Sequence, residues 1–72
     1  MNSKITISFI IIAYNEERSI ARCLSAILAQ NNLTNYEVVV VDDGSKDRTA
    51  HIVAEHAKKN TNVILHRLVP NQ

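Results

Sequence analysis

Apolar residues run along this chain in two alternating rhythms. Over residues 5–13 they are nearly continuous, with Phe9-Ile10-Ile11-Ile12 uninterrupted. Continuous apolarity marks a strand covered on both faces, as in parallel sheets. The rhythm then changes. Ile20, Cys23, Leu24, Ile27 and Leu28 fall at i, i+3, i+4, i+7 and i+8, one face of an amphipathic helix. Residues 36–41 return to the first rhythm with the valines Val38-Val39-Val40-Val41. Helical spacing comes back at Thr49, Ile52, Val53, His56 and Ala57, and residues 63–68 read as a third strand. The punctuation fits. Asn15 can N-cap the first helix, with Glu16 and Glu17 in its first turn against the helix dipole. Asn31-Asn32 can stop it, because Asn tolerates the left-handed C-cap conformation. Gly44, the sole glycine, suits a turn that needs positive φ. Ser45 or Asp47 can cap the second helix, Glu55 and Lys59 can support it as an i,i+4 pair, and Lys58-Lys59-Asn60 ends it.

The predicted order is β-α-β-α-β, an α/β fold: half of a Rossmann-like parallel sheet, with three strands and two helices. Right-handed crossovers with strand order 3-2-1 put both helices on one face. The opposite apolar face is then bare and the first strand keeps an unpaired edge. Further chain is expected to cover that face and continue the sheet. Without it, the chain is expected to self-associate through the uncovered face or edge.

Length and composition remove several alternatives. Seventy-two residues make one domain at most, and a chain of this size buries only about 60% of its unfolded surface. The single cysteine, Cys23, allows no internal disulfide and reads as inert core on the first helix, in keeping with a reducing cytoplasm. A formal charge of +1 with few aromatics gives neither a basic field nor stacking platforms, so nucleic acid is not an expected partner. Lys4 with the apolar run after it resembles a signal peptide. Thr6 and Ser8 interrupt that run, however, and Asn15-Glu16-Glu17-Arg18 follows in place of a small-residue cleavage site. The run is also far short of the ~20 residues that span a bilayer.

Chemistry gathers at two strand ends, where open α/β sheets bind their ligands. Tyr14-Asn15-Glu16 after the first strand offers a ring to lie along a planar base, with hydrogen-bonding groups beside it. Asp43 after the second offers an acceptor for the imide or ring N–H of a uracil or guanine. If the two strands are neighbours, the turns converge. Either turn alone reads better as plain structure, with Asn15 as a cap and Asp42, Asp43 and Ser45 stabilising a turn. His51 and Glu55 could touch a metal at i,i+4, but a solvated helix face explains them better and no metal site is expected here. His56 reads as a core-edge residue and His66 as an exposed or edge position.

Taken together, Ser8-Phe9-Ile10-Ile11-Ile12-Ala13-Tyr14-Asn15-Glu16-Glu17 and Val39-Val40-Val41-Asp42-Asp43-Gly44-Ser45-Lys46-Asp47-Arg48-Thr49 resemble the N-terminal part of family 2 glycosyltransferases. Those enzymes have the GT-A fold, and the resemblance covers the nucleotide-binding first third of a family domain. It implies that residues 1–72 are an N-terminal fragment of such a domain, binding a nucleoside-diphosphate sugar. Ile12 stands where the family usually has Pro or Thr, whose backbone touches the base. Tyr14 matches the aromatic beside the base, and Glu16 a polar residue near the nucleotide. Val41 and Asp43 match positions lining the base, while Asp42 orders the turn. The family's metal-binding Asp-x-Asp and its later catalytic base have no counterpart here, since Asp43 and Asp47 are too far apart. Magnesium or manganese is therefore expected only in a complete enzyme, and no residue of this chain is expected to be catalytic.

The complete enzyme implied is an inverting transferase that moves a sugar to an acceptor hydroxyl, the isolated fragment being inactive. It is expected in the cytoplasm, where a complete protein could sit at the cytoplasmic face of a membrane. The competing reading is a non-catalytic α/β module that self-associates or binds nucleotide weakly. A third is another doubly wound nucleotide or receiver-type domain. The lack of a Gly-rich phosphate loop counts against a dinucleotide fold, and the lack of a third acidic strand end with a partner lysine counts against a receiver.

Overall fold

A computed structural model describes residues 5, 7–30 and 35–68. The elements are β1 (Ile7–Ala13), α1 (Ile20–Leu28), β2 (Tyr36–Asp42), α2 (Thr49–Lys59) and β3 (Val63–Arg67). They form one three-stranded sheet of order β1-β2-β3, parallel throughout. Ile7 pairs with Tyr36 and Ala13 with Asp42, while Val38 pairs with Val63 and Asp42 with Arg67. The predicted architecture is the observed one: β2 lies in the middle and the apolar runs are its strands.

The core lies between the sheet and the two helices. Ala13, Val38, Val40 and Val63 from the strands pack with Ile20 and Leu24 of α1 and Val53 of α2 in a single buried cluster. Strand side chains alternate between faces, so the partners of this cluster point the other way. Ile10, Ile12 and Ile64 are 58%, 68% and 39% exposed, and Val39 and Val41 are half-buried beside them. The continuous apolar runs thus have two apolar faces, of which the described residues cover one. At the end of the sheet where β1 and β2 begin, Phe9 meets Tyr36 edge to face, with ring centroids 5.9 Å apart.

Several local expectations need correction. Asn15 does not cap α1. It takes a left-handed conformation (φ 52°), and the carbonyl of Glu16 accepts the N–H groups of Ser19 and Ile20. A turn therefore intervenes, and Glu16 and Glu17 lie ahead of the helix instead of in its first turn. Cys23 is exposed. At roughly 100° per residue it lies about 80° from the middle of the stripe set by Ile20 and Leu24, outside the arc the sheet covers. Glu55 pairs with Lys58 at 3.6 Å and His51 at 4.0 Å, both on the exposed face of α2, and not with Lys59. Positions i+3 and i+4 are equally good neighbours on a helix, so Lys58 serves as well as Lys59. Asn31-Asn32 lies outside the described residues, and α1 ends at Leu28 with Ala29 as its C-cap.

Elsewhere the pattern holds. Gly44 has φ 77° in the turn after β2, where a Cβ would be strained. Thr49 and Val53 are buried, and Ile52, His56 and Ala57 are half-buried along the α2 stripe. The ring of His56 meets the Ile52 carbonyl at Nδ1, 3.0 Å away, and His66 is exposed on β3. No helix among the described residues is long and apolar enough to cross a membrane.

Candidate functional site

β1 and β2 are in-register neighbours, so both chains leave the sheet at the same end. The last bond between them runs from the Asp43 N–H to the Ala13 carbonyl at 2.8 Å. Beyond it the two loops are laced together through side chains. The Asn15 N–H donates to Ser45 Oγ at 2.8 Å, and the Lys46 N–H returns the contact to Asn15 Oδ1 at 2.8 Å. The left-handed turn at Asn15 aims both its backbone and its amide across the gap. Asn adopts that conformation more readily than most residues.

A second lacing follows one step further out. The Glu16 N–H donates to Thr49 Oγ1 at 2.7 Å, and the Glu17 N–H to Asp47 Oδ2 at 3.2 Å. In return the Arg48 N–H donates to Glu17 Oε1 at 2.9 Å. Asp47 also accepts the Thr49 N–H at 2.9 Å and the Thr49 hydroxyl. Neither Ser45 nor Asp47 is the N-cap of α2: that position is Arg48, whose side chain makes no capping bond, because Ser45 Oγ serves Asn15 and Asp47 bonds locally to Thr49. Desolvation among these loops raises the Asp47 carboxyl. The Thr49 hydroxyl and the N–H groups of Thr49 and Glu17 outweigh it, and the carboxyl titrates below its ordinary range.

The turn after β2 is fixed from inside as well. Asp42 is fully buried. Its Oδ1 accepts the Ser45 N–H at 3.3 Å, and its Oδ2 lies 3.3 Å from Arg67 Nε of β3. That second contact is one of charge, without the alignment of a hydrogen bond. The Arg67 Nη2 donates to the Ser45 carbonyl at 3.2 Å.

The five expected site residues fall around this laced end. Ile12 and Val41 are direct register partners on the open face of the sheet, Ile12 68% exposed and Val41 half-buried. Tyr14, 53% exposed, and the exposed Asp43 each follow the last residue of their strand. Ile12, Tyr14, Val41 and Asp43 therefore share one corner. Glu16 is drawn aside toward α1, where its Oε1 accepts the Ser19 hydroxyl at 3.2 Å. The corner combines an exposed ring, a carboxylate acceptor and an apolar floor, chemistry suited to the face and edge of a planar heterocycle.

Sequence reasoning missed the lacing. Ser45, Thr49 and Asp47 carried a usable signal, being short acceptors just beyond a strand end adjacent to another. The sequence suggests a helix cap for Asn15, whereas its bonds cross to the other loop. Arg67 carried none, because an arginine in a short strand reads as surface. Among the described residues no three His, Cys, Asp or Glu side chains come together to hold a metal ion. Asp42, Asp47 and Glu17 accept hydrogen bonds from backbone instead, and Glu16 accepts the Ser19 hydroxyl. This donor set does not fit a metal site.

Residues 8–72 match the model of glycosyl transferase family 2. The chain is 43% identical over 70 residues to a dolichyl-phosphate beta-glucosyltransferase of Trichomonas vaginalis, covering 86% of this chain and 21% of that one. It is 39% identical over 61 residues to an undecaprenyl-phosphate 4-deoxy-4-formamido-L-arabinose transferase of Shewanella sediminis, covering 81% and 18%. It is 40% identical over 58 residues to the glycosyltransferase AglE of Haloferax volcanii, covering 79% and 19%. The chain belongs to glycosyl transferase family 2, and it spans about a fifth of the length of these relatives.

Proposed function

We propose that these residues form the nucleotide-sugar-binding part of an inverting glycosyltransferase, the N-terminal part of a GT-A domain. The observation that carries the reading is the convergence of Tyr14 and Asp43 on the Ile12–Val41 register pair. The base lies along Tyr14, backbone at Ile12 and Val41 lines it, and the Asp43 carboxylate accepts its ring N–H. Glu16 is a polar residue near the nucleotide. Family membership supports glycosyl transfer as the activity of the whole protein.

In that reaction a base supplied by other residues takes the proton of the acceptor. The freed oxygen attacks the anomeric carbon from the face opposite the diphosphate. The bond from that carbon to the diphosphate oxygen breaks, and the nucleoside diphosphate leaves with the electron pair. The acceptor oxygen belongs to a hydroxyl or, following relatives named for dolichyl phosphate and undecaprenyl phosphate, to a polyprenyl phosphate. Such an acceptor lies in a membrane, and the cytoplasmic face is the side this reading proposes. By itself this chain binds nucleotide weakly and transfers nothing.

Titration of uridine and guanosine diphosphate, followed by NMR, tests the reading. Shifts are expected at Tyr14, Glu16 and Asp43. Asp43→Asn replaces the carboxylate acceptor by an amide of the same shape. Loss of a hydrogen bond to a charged group costs about 1.5–3 kcal/mol, roughly ten- to a hundredfold in affinity. Shifts at His51, Glu55 and His66 instead would mean that the site is elsewhere. Silence at millimolar nucleotide would leave only a scaffold.

A second reading draws on a different observation, the exposure of Ile10, Ile12 and Ile64 on one face. On that reading the chain self-associates through the open face or the β1 edge, with nucleotide binding incidental.

A further inference from the structure

We propose that Arg67, on β3, is the positioning residue of the nucleotide corner, although it comes from a strand outside the two turns that form it. This rests on the nucleotide reading above. The turn after β2 begins with two adjacent carboxylates, Asp42 and Asp43. One is fully buried and the other is exposed. A buried carboxylate is costly unless a cation or hydrogen bonds compensate it. Asp42 receives one backbone N–H, from Ser45, and its other oxygen faces Arg67 Nε.

The same guanidinium donates to the Ser45 carbonyl. Arg67 therefore holds the first and last residues of the turn Asp42-Asp43-Gly44-Ser45 in one planar group. A lysine, with a single point charge, lacks that fork geometry. The effect continues into the other loop, because Ser45 Oγ holds the Asn15 N–H and Asn15 lies between Tyr14 and Glu16. Arg67 thus sets both halves of the corner. It also neutralises Asp42, so that Asp43 is the carboxylate of the pair left to face a ligand. With Asp42 unneutralised, two adjacent anions would oppose the approach of a nucleotide that is itself anionic.

The test compares the wild-type chain with Arg67→Met, Arg67→Lys and Arg67→Met/Asp43→Asn. Binding of uridine diphosphate and guanosine diphosphate is followed by NMR, and amide exchange is followed without ligand. Arg67→Met should weaken nucleotide binding roughly tenfold and raise exchange at the Asn15 and Ser45 amides. Arg67→Lys keeps the charge and should recover part of the affinity. Asp43→Asn should cost less than about threefold in the Arg67→Met background, far below its cost in the wild type, because a carboxylate no longer held in place has little left to lose. General loosening of the fold would not produce that coupling.

Full affinity in a folded Arg67→Met would overturn the proposal, as would additive losses in the double variant. Should Arg67→Met not fold, wild-type affinity with unchanged exchange in Arg67→Lys would overturn the two-ended grip. No binding by the wild type would overturn the nucleotide reading itself, and with it this role for Arg67. The exchange measurement would still report separately whether Arg67 holds the turn.

Discussion

Replacing Asn15 by alanine tests the lacing of the two loops, because Asn15 serves it in two separable ways. Its amide oxygen accepts the Lys46 N–H at 2.8 Å, and its backbone holds φ 52° so that its own N–H reaches Ser45 Oγ. Alanine loses the acceptor, at a typical net cost of about 1 kcal/mol for an exposed bond. It also carries a Cβ without a compensating polar group in the left-handed region, which adds roughly 1 kcal/mol. The sum, about 2 kcal/mol, corresponds to a fall in melting temperature of roughly 8–16 °C for a domain this small. Asn15→Gly separates the contributions. It loses the acceptor but not the conformational ease, so its melting point should lie between wild type and alanine. Circular dichroism melts of the three proteins at one concentration give the comparison. If alanine and glycine both melt within about 2 °C of wild type, the lacing contributes little to stability. If they melt together well below it, the left-handed backbone is no constraint and only the amide matters.

Three other outcomes follow from the same geometry. The Asp47 carboxyl titrates below its ordinary value of 3.8, so its contribution to stability is complete above that value and disappears as pH falls through the lower, folded-state value. Asp47→Asn should therefore melt below wild type at pH 7, and the gap should shrink in melts taken at progressively lower pH below 3.8; a gap that widens there contradicts the assignment. Ile10 and Ile64 on the open face should drive association at high micromolar concentration, so sedimentation should give dimers or larger species for wild type and a monomer for Ile10→Lys/Ile64→Lys; a monomeric wild type refutes this. Supplied with nucleotide sugars, manganese and candidate acceptors, the purified chain should transfer no sugar above a blank, and any turnover would mean that the chemistry has been misplaced.

How far the sequence could be read depended on whether a feature was local. The strands and helices were legible because burial imposes a period, and Ile20, Leu24, Val38, Val40 and Val53 keep that period without interruption. The corner was legible because the topology makes β1 and β2 parallel neighbours, which brings Tyr14 and Asp43 together once each is placed at a strand end. The bonds of Asn15 and Arg67 span 31 and 22 residues respectively. No spacing rule covers such distances, so the sequence ties Asn15 only to its nearest helix and gives Arg67 no role. Cys23 failed for a subtler reason. It satisfies the apolar period, but the stripe facing the sheet is narrower than the stripe the sequence allows.

On the proposed nucleotide reading, the lacing also limits which part of a nucleotide sugar this end of the sheet can hold. Doubly wound proteins often grip phosphate with free backbone N–H groups at a helix N-terminus, aided by its dipole. Here the N–H groups of Asn15, Glu16, Glu17, Lys46, Arg48 and Thr49 are all taken by side chains of the two loops. At the start of α2 the Thr49 N–H is taken by the Asp47 carboxylate. A diphosphate approaching the two loops would meet the carboxylates of Asp43, Asp47, Glu16 and Glu17. The ring of Tyr14 and the Asp43 carboxylate, by contrast, are exposed and free of that electrostatic conflict with a neutral base. The same bonds that make the corner rigid therefore suit it to the base. On the same reading, the charge of the diphosphate is met by groups other than these two loops.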